Sequence, residues 1–288
     1  MAKKREKRKI NKQGKEVNPS KSQEIRYRKR LLSIVNKIIR IVNRRLIPVT
    51  RRLEPEYIAD SKASARKELI SILNSLNKTT QQTDKNALKW SESFVKGTNK
   101  ANEISNFNMF KRVSGIDLSR IVMNEGIEKE LKNDIDLNVK LIKSIPDVYF
   151  KRINKIFEES LLKGRSADSL IKQITELGHS TTKRAKFIAR DQTATISGKL
   201  NERRSANLGS VGYKWITSRD RRVRGPGGIY PNAEFNHRVR DGKYYLWSAS
   251  SKRIKAPNGK AFNQPPGDGS PGIPIACRCT AAPVIPVG

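Results

Sequence analysis

Between Leu31 and Ile47 apolar side chains recur at three- and four-residue steps: Leu31, Ile34, Val35, Ile38, Ile39, Ile41, Val42 and Leu46. That spacing predicts a helix with one wide apolar stripe. Pro48 is predicted to end it, since an interior proline removes a hydrogen bond and crowds the carbonyl four residues back. A stripe this wide packs in a core or bundle more often than it docks a partner helix or lies on a membrane surface. Further helices are predicted around 57–76, 84–110, 118–133 and 147–163, with Ser114-Gly115, Pro146 and Gly164 as breakers. Ser166 can cap a helix bearing Leu170, Ile171, Ile174 and Leu177 on one side, closed by Gly178. A second helix is predicted to start at Ser180 or Thr181, with Ala185, Ile188, Ala189, Ala194, Ile196, Leu200 and Leu208 on its apolar side up to Gly209. No repeat of fixed period stands out.

Beyond Gly209 the texture changes. Val211 to Ile216 alternates like a strand, and glycine and proline then become frequent. The predicted fold class is therefore α+β: a mainly helical N-terminal region followed by a small, loop-rich C-terminal α+β domain. Trp215, Tyr244, Tyr245 and Trp247 are expected to pack that small domain, because their alternation suits strands better than an exposed stacking platform. Trp90 is assigned only to packing a helix.

Composition sharpens the division. Of 288 residues 36% are hydrophobic and 30% charged, with a mean hydropathy of -0.66, so the core must be concentrated rather than spread along the chain. Met1 to Arg30 holds thirteen Lys or Arg against three Glu and few apolar residues, and it is predicted to be a disordered basic arm. The expected organisation is an arm over 1–30, a helical region over 31–147 and the small domain over 148–288. The net charge of +33, from 60 basic against 27 acidic residues, would make an isolated chain repel itself and points to an anionic partner. Double-stranded DNA is the first choice, ahead of an acidic protein or an anionic membrane surface. Lys3, Lys4, Arg5, Lys7, Arg8 and Lys9 are the candidate nucleic-acid contacts; the competing reading is a tail that only aids solubility. Lys183, Arg184, Lys186, Arg190, Lys199, Arg203 and Arg204 form either a solvated helix face or a surface that tracks a DNA backbone. No run approaches the ~18 apolar residues of a membrane span and the N-terminus lacks a signal-peptide core, so the chain is expected to be made and folded in the cytoplasm.

The candidate chemistry lies near the C-terminus. Cys277 and Cys279, the imidazole of His237 and a carboxylate from Asp220 or Asp241 make a four-ligand set suited to zinc. Against this, knuckles usually read Cys-x-x-Cys, and small buried thiols with a hydrogen-bonded histidine are the more ordinary reading. Asp220 competes for its arginine neighbours, Arg219, Arg221, Arg222 and Arg224, and a structural pairing in that turn is favoured for it. A metal-dependent, nuclease-like enzyme using His237 and nearby carboxylates is the alternative function. His179 and His237 are the only histidines, and Gly225-Pro226-Gly227-Gly228 lacks the Gly-Lys-Ser/Thr of a nucleotide-phosphate loop, so no catalytic residue is assigned.

The order of the C-terminal pieces carries a resemblance. Ala189-Arg190-Asp191-Gln192-Thr193, Gly209, the strand Tyr213 to Ile216, Asp220 to Arg224, His237 to Gly242, Pro265-Pro266-Gly267 and Cys277-Arg278-Cys279 follow one another over roughly 149–282. Together they resemble the MuF-type phage head-morphogenesis proteins, minor head proteins of tailed double-stranded DNA phages. Two stretches depart from that pattern: Gly225 to Asn236 widens the gap before His237, and Gly269 to Ile275 lengthens the approach to Cys277. The resemblance implies a non-enzymatic virion protein of the capsid interior near the portal, assembled in the host cytoplasm. It implies the portal protein as partner, with scaffolding or major capsid protein as further partners.

Overall fold

The computed structural model describes residues 10–55, 62–80, 82–118, 125–249 and 255–287. The six basic contacts expected at Lys3, Lys4, Arg5, Lys7, Arg8 and Lys9 lie outside the described residues. In chain order the elements are β1 (Ile10–Gln13), α1 (Lys21–Arg52), α2 (Lys62–Thr80), α3 (Gln82–Ser114), α4 (Glu128–Leu162), α5 (Ala167–Asn207), β2 (Gly212–Ile216), β3 (Tyr244–Leu246) and β4 (Thr280–Val287). The architecture is α+β, as the patterning predicts. The chain divides into two compact units, one from 24–94 and 132–190, the other from 1–23, 95–131 and 191–288. Each unit is assembled from separated stretches of the chain.

The first unit is helical. The predicted apolar stripe is the buried face of α1: Leu31, Ile34, Val35, Ile38, Val42 and Leu46 are all buried. Tyr27 extends that face. Its ring stacks on Phe94 with centroids 3.9 Å apart, and its hydroxyl donates to Asn138 Oδ1 at 2.9 Å. Pro48 does not end α1. It stands on the exposed side of the helix, as does Arg44, whose carbonyl it leaves without a helical N–H partner. Pro146 likewise lies inside α4, where the Arg184 guanidinium donates to the carbonyl (3.3 Å) and hydroxyl (2.9 Å) of Ser144 beside it. Nor does Gly178 close a helix: α5 runs through it. A Cβ there would stand 3.2 Å from Ile39 Cδ1, so this glycine serves close packing rather than termination.

The second unit holds a four-stranded antiparallel sheet in the order β1-β4-β2-β3. The central strand β4 is buried continuously from Ala281 to Ile285, as expected for a strand covered on both faces. Ile285 packs with Val17 and Met109, while Ala281 joins Tyr213, Trp215, Trp247, Cys277 and Cys279 in the main aromatic cluster. The aromatic residues are thus core, as read from their alternation.

The predicted disorder of 1–30 does not extend over the described part of that stretch. Residues 10–13 pair with 284–287 of β4, Gly14 N–H donates to the Pro283 carbonyl at 2.7 Å, and Asn201 Nδ2 holds the Val17 carbonyl at 2.9 Å. Ser20 Oγ then accepts from Gln23 N–H at the start of α1, ten residues before the apolar stripe begins. Backbone pairing orders this stretch, and backbone pairing is independent of the basic side chains that composition counts.

Candidate metal centre

The site lies within the second unit, in the loops that follow β2 and precede β4. Asp220 opens its turn by accepting the Arg222 N–H at 2.8 Å, an Asx-type turn. The turn ends at Arg224, whose carbonyl receives the N–H groups of both His237 (3.1 Å) and Arg238 (3.2 Å). Asn236 Oδ1 accepts from Arg238 N–H and Val239 N–H, which shapes the short helical turn Arg238–Arg240. Asp241 accepts from Thr217 N–H at 2.9 Å, and Gly242, at φ 77°, makes the left-handed step that starts β3.

The Cys-Arg-Cys end is anchored separately. Asp191 Oδ1 accepts the Ala276 N–H at 2.6 Å, which holds Ala276 at the unusual φ of 60° and aims the next residue inward. On the preceding segment Gly272, at φ 90°, donates its N–H to Cys277 Sγ at 3.4 Å. That segment approaches α5 at Gly198, where a Cβ would come within 2.8 Å of the Pro271 carbonyl oxygen.

These constraints bring His237, Cys277 and Cys279 together, all buried, with their ligand atoms within 4.8 Å of one another. His237 Nδ1 stands 3.7 Å from each sulfur. His237 Nε2 meets Asp268 Oδ2 at 2.7 Å, and Asp268 Oδ1 accepts from Arg240 Nη1 at 2.6 Å. The Arg240 guanidinium lies over the Trp215 ring at 4.8 Å, so the chain of contacts continues from sulfur to imidazole to carboxylate to guanidinium to indole. Burial pushes the Asp268 carboxyl up, but hydrogen bonds from His237 and Arg240 outweigh it and hold the group below the usual carboxylate range. The two thiols are driven apart. The contact with Cys279, helped by His237 and two backbone N–H groups, pulls Cys277 down, and the same contact together with burial pushes Cys279 up.

Asp220 is not a member of this cluster. Its carboxylate pairs with Arg278 Nη1 at 2.6 Å and Arg222 Nη2 at 3.1 Å, because the Asx turn and the guanidiniums use its oxygens. Asp241 also falls outside, engaged with Thr217 N–H and with Arg219 Nε at 3.2 Å. The carboxylate that reaches His237 is Asp268, which the residue-by-residue reading missed; it directly follows Pro265-Pro266-Gly267, so the signal was an acid placed in a turn between two glycines. Arg204 also departs from the expected charged helix face. It is buried, and its guanidinium is shared among Glu125, Asn99 and Asn102.

A small antiparallel sheet whose loops converge on a buried Cys-Cys-His cluster defines a loop-rich α+β module with a candidate metal centre. Residues 151–282 match the family described as "Phage Mu protein F like protein", which supports a MuF-type phage family for this stretch. The chain is also similar to a protein of Haemophilus influenzae (strain ATCC 51907 / DSM 11121 / KW20 / Rd) that carries the name "Uncharacterized protein", at 27% identity over 272 residues. The alignment covers 94% of this chain and 55% of that protein, so the chain spans about half of its relative's length. No solved structure matches at a significant level.

Proposed function

We propose that this chain is a minor head protein of a tailed double-stranded DNA phage, acting in head morphogenesis in association with the portal and touching packaged DNA. The family match over 151–282 carries the reading, since that stretch holds the whole ordered set of C-terminal motifs. The net charge of +33 supports the DNA contact, because each phosphate neutralised releases condensed counterions. The place of action is the capsid interior near the portal, with scaffolding or major capsid protein as further partners during assembly. The role is structural rather than catalytic. His237, on which a nuclease would depend, is 1% exposed with Nε2 held by Asp268, so neither group offers an open face to a phosphodiester.

Quantitative mass spectrometry of nuclease-treated, gradient-purified particles and procapsids tests this. A few copies per portal ring in both are expected. Absence from both overturns the reading. For the DNA contact, the log-log salt slope of duplex affinity should fall by roughly 0.9 for each phosphate contact removed. Replacing Lys3, Lys4, Arg5, Lys7, Arg8 and Lys9 together by Gln is the variant that reads it, and an unchanged slope removes the arm from the interface.

A further inference from the structure

We infer that His237, Cys277 and Cys279 bind a single zinc ion through Nδ1 and the two Sγ atoms, with Asp268 as the carboxylate that orients the imidazole. The inference stands apart from the head-protein reading and uses only the geometry of the loops.

The distances suit a metal. Two ligands of a tetrahedral zinc, at about 2.3 Å for sulfur and about 2.0–2.1 Å for nitrogen, lie about 3.6 Å apart. The observed separations are 3.7 Å from Nδ1 to Cys277 Sγ and 3.7 Å to Cys279 Sγ. Hydrogen bonding alone explains only half of this. With Nε2–H donating to Asp268, Nδ1 has one lone pair and can accept from one thiol, yet both sulfurs stand equally close to it. A cation at the common point uses both sulfurs and the lone pair at once.

The surroundings supply donors to the Cys277 sulfur. Gly272 N–H (3.4 Å) and Cys279 N–H (3.5 Å) both point at Cys277 Sγ. The buried Trp215 Nε1–H has no conventional acceptor, and Trp215 belongs to the same buried cluster as Cys279. Two thiolates cancel a dication, and Asp268 is balanced by Arg240, so the buried group is neutral overall. The imidazole between metal and carboxylate is the arrangement that fixes the tautomer of metal-bound histidines. Three side chains leave one tetrahedral position for a water molecule. With all three ligands buried, the centre clamps the loop before β4 to the loop after β2.

The test uses the full chain, expressed and purified with zinc as the only added metal. Elemental analysis after gel filtration against a weak chelator should give about one zinc per chain. The double variant Cys277→Ser/Cys279→Ser should hold less than about one tenth of that. Cobalt in place of zinc should show thiolate-to-metal charge-transfer absorption in the wild-type chain, which needs no variant to fold. Asp268→Asn should weaken zinc about 10–100-fold in competition with a chromophoric chelator, and Asp220→Asn should leave it unchanged. A cooperatively folded wild-type chain without stoichiometric zinc overturns the inference. So does zinc retained by the double cysteine variant, a cobalt form lacking sulfur charge transfer, or a Cys277–Cys279 disulfide in the purified protein.

Discussion

Replacing Arg204 by Met tests whether this charge serves the fold or a DNA surface. The side chain is 1% exposed and meets Glu125 with two parallel contacts, Nε to Oε1 and Nη2 to Oε2, both 2.7 Å. Nη1 also donates to Asn102 Oδ1 at 2.7 Å and Nη2 to Asn99 Oδ1 at 2.6 Å. Met keeps the length and the apolar stem but strands the Glu125 carboxylate and two amide oxygens. Removing one partner of a buried, hydrogen-bonded pair costs about 3–5 kcal/mol, a large share of the ~5–15 kcal/mol that holds a typical domain. At about 2–4 °C per kcal/mol the melting transition should fall by about 6–20 °C. Urea unfolding followed by tryptophan fluorescence reads it, since Trp215 and Trp247 are both buried in the unit that contains Arg204. Arg204→Met/Glu125→Leu should cost less than the two single changes added, because the second removes the stranded charge. A melt of Arg204→Met within about 1 kcal/mol of wild type, or an additive double variant together with a drop in duplex DNA affinity, would refute a role of this charge in the fold.

Two further predictions concern the loops. Gly198→Ala places a Cβ 2.8 Å from the Pro271 carbonyl oxygen and 3.2 Å from Ile273 N, both backbone atoms that cannot rotate away. The expected cost is about 1–3 kcal/mol, with faster reaction of Cys277 and Cys279 toward a thiol reagent after chelation; an unchanged melt and unchanged thiol rates would refute it. For Asp220, burial raises the carboxyl pKa, but the Arg222 N–H and the Arg278 and Arg222 guanidiniums outweigh it and hold the group below its ordinary range. The folded pKa is depressed, so the stabilisation is complete above the ordinary carboxyl value of about 3.9 and is lost as pH falls through the folded one. The melting-point gap between wild type and Asp220→Asn should be constant near neutrality and close in strong acid, and a gap that persists there contradicts the pairing.

The helical unit was legible wherever burial dictated the pattern and illegible wherever a local signal had two physical meanings. The stripe from Leu31 to Leu46 had to be a buried helix face, and it is one. Pro48 and Pro146 carry the same local penalty whether or not the helix continues. What decides is the setting of the proline, on the exposed side of the helix at Pro48 and beside the Arg184 contacts to Ser144 at Pro146. Gly178 is ambiguous in the same way, since a missing Cβ permits both a left-handed cap and the close approach of Ile39. Arg204 reads as one of seven basic residues between Lys183 and Arg204, and partners distant in sequence, Glu125 79 residues away together with Asn99 and Asn102, turn it inward.

The loop site shows why spacing along the chain is a poor guide to spacing in the fold. The stretch 225–236 widens the gap before His237, yet it closes on itself: Gly225 N–H donates to the Tyr230 carbonyl at 3.1 Å and Ile229 N–H to the Arg221 carbonyl at 2.7 Å. The Arg224 carbonyl therefore still receives His237 N–H, whatever the length of the excursion between them. Closure entropy grows only logarithmically with loop length, so such an excursion costs little once its ends are pinned. The longer approach to Cys277 goes further and becomes part of the site, because Gly272 in it supplies an N–H to the Cys277 sulfur. His237, Cys277 and Cys279 could be picked out by residue type alone. The acid could not, since Asp220, Asp241 and Asp268 are chemically equivalent in sequence, and the choice among them falls to the hydrogen bonds that commit the first two elsewhere. Asp220 is committed to Arg278, the residue between the two cysteines, at 2.6 Å. The expected ligand thus holds the Cys-Arg-Cys segment from its solvent side while Asp268 holds His237 from within.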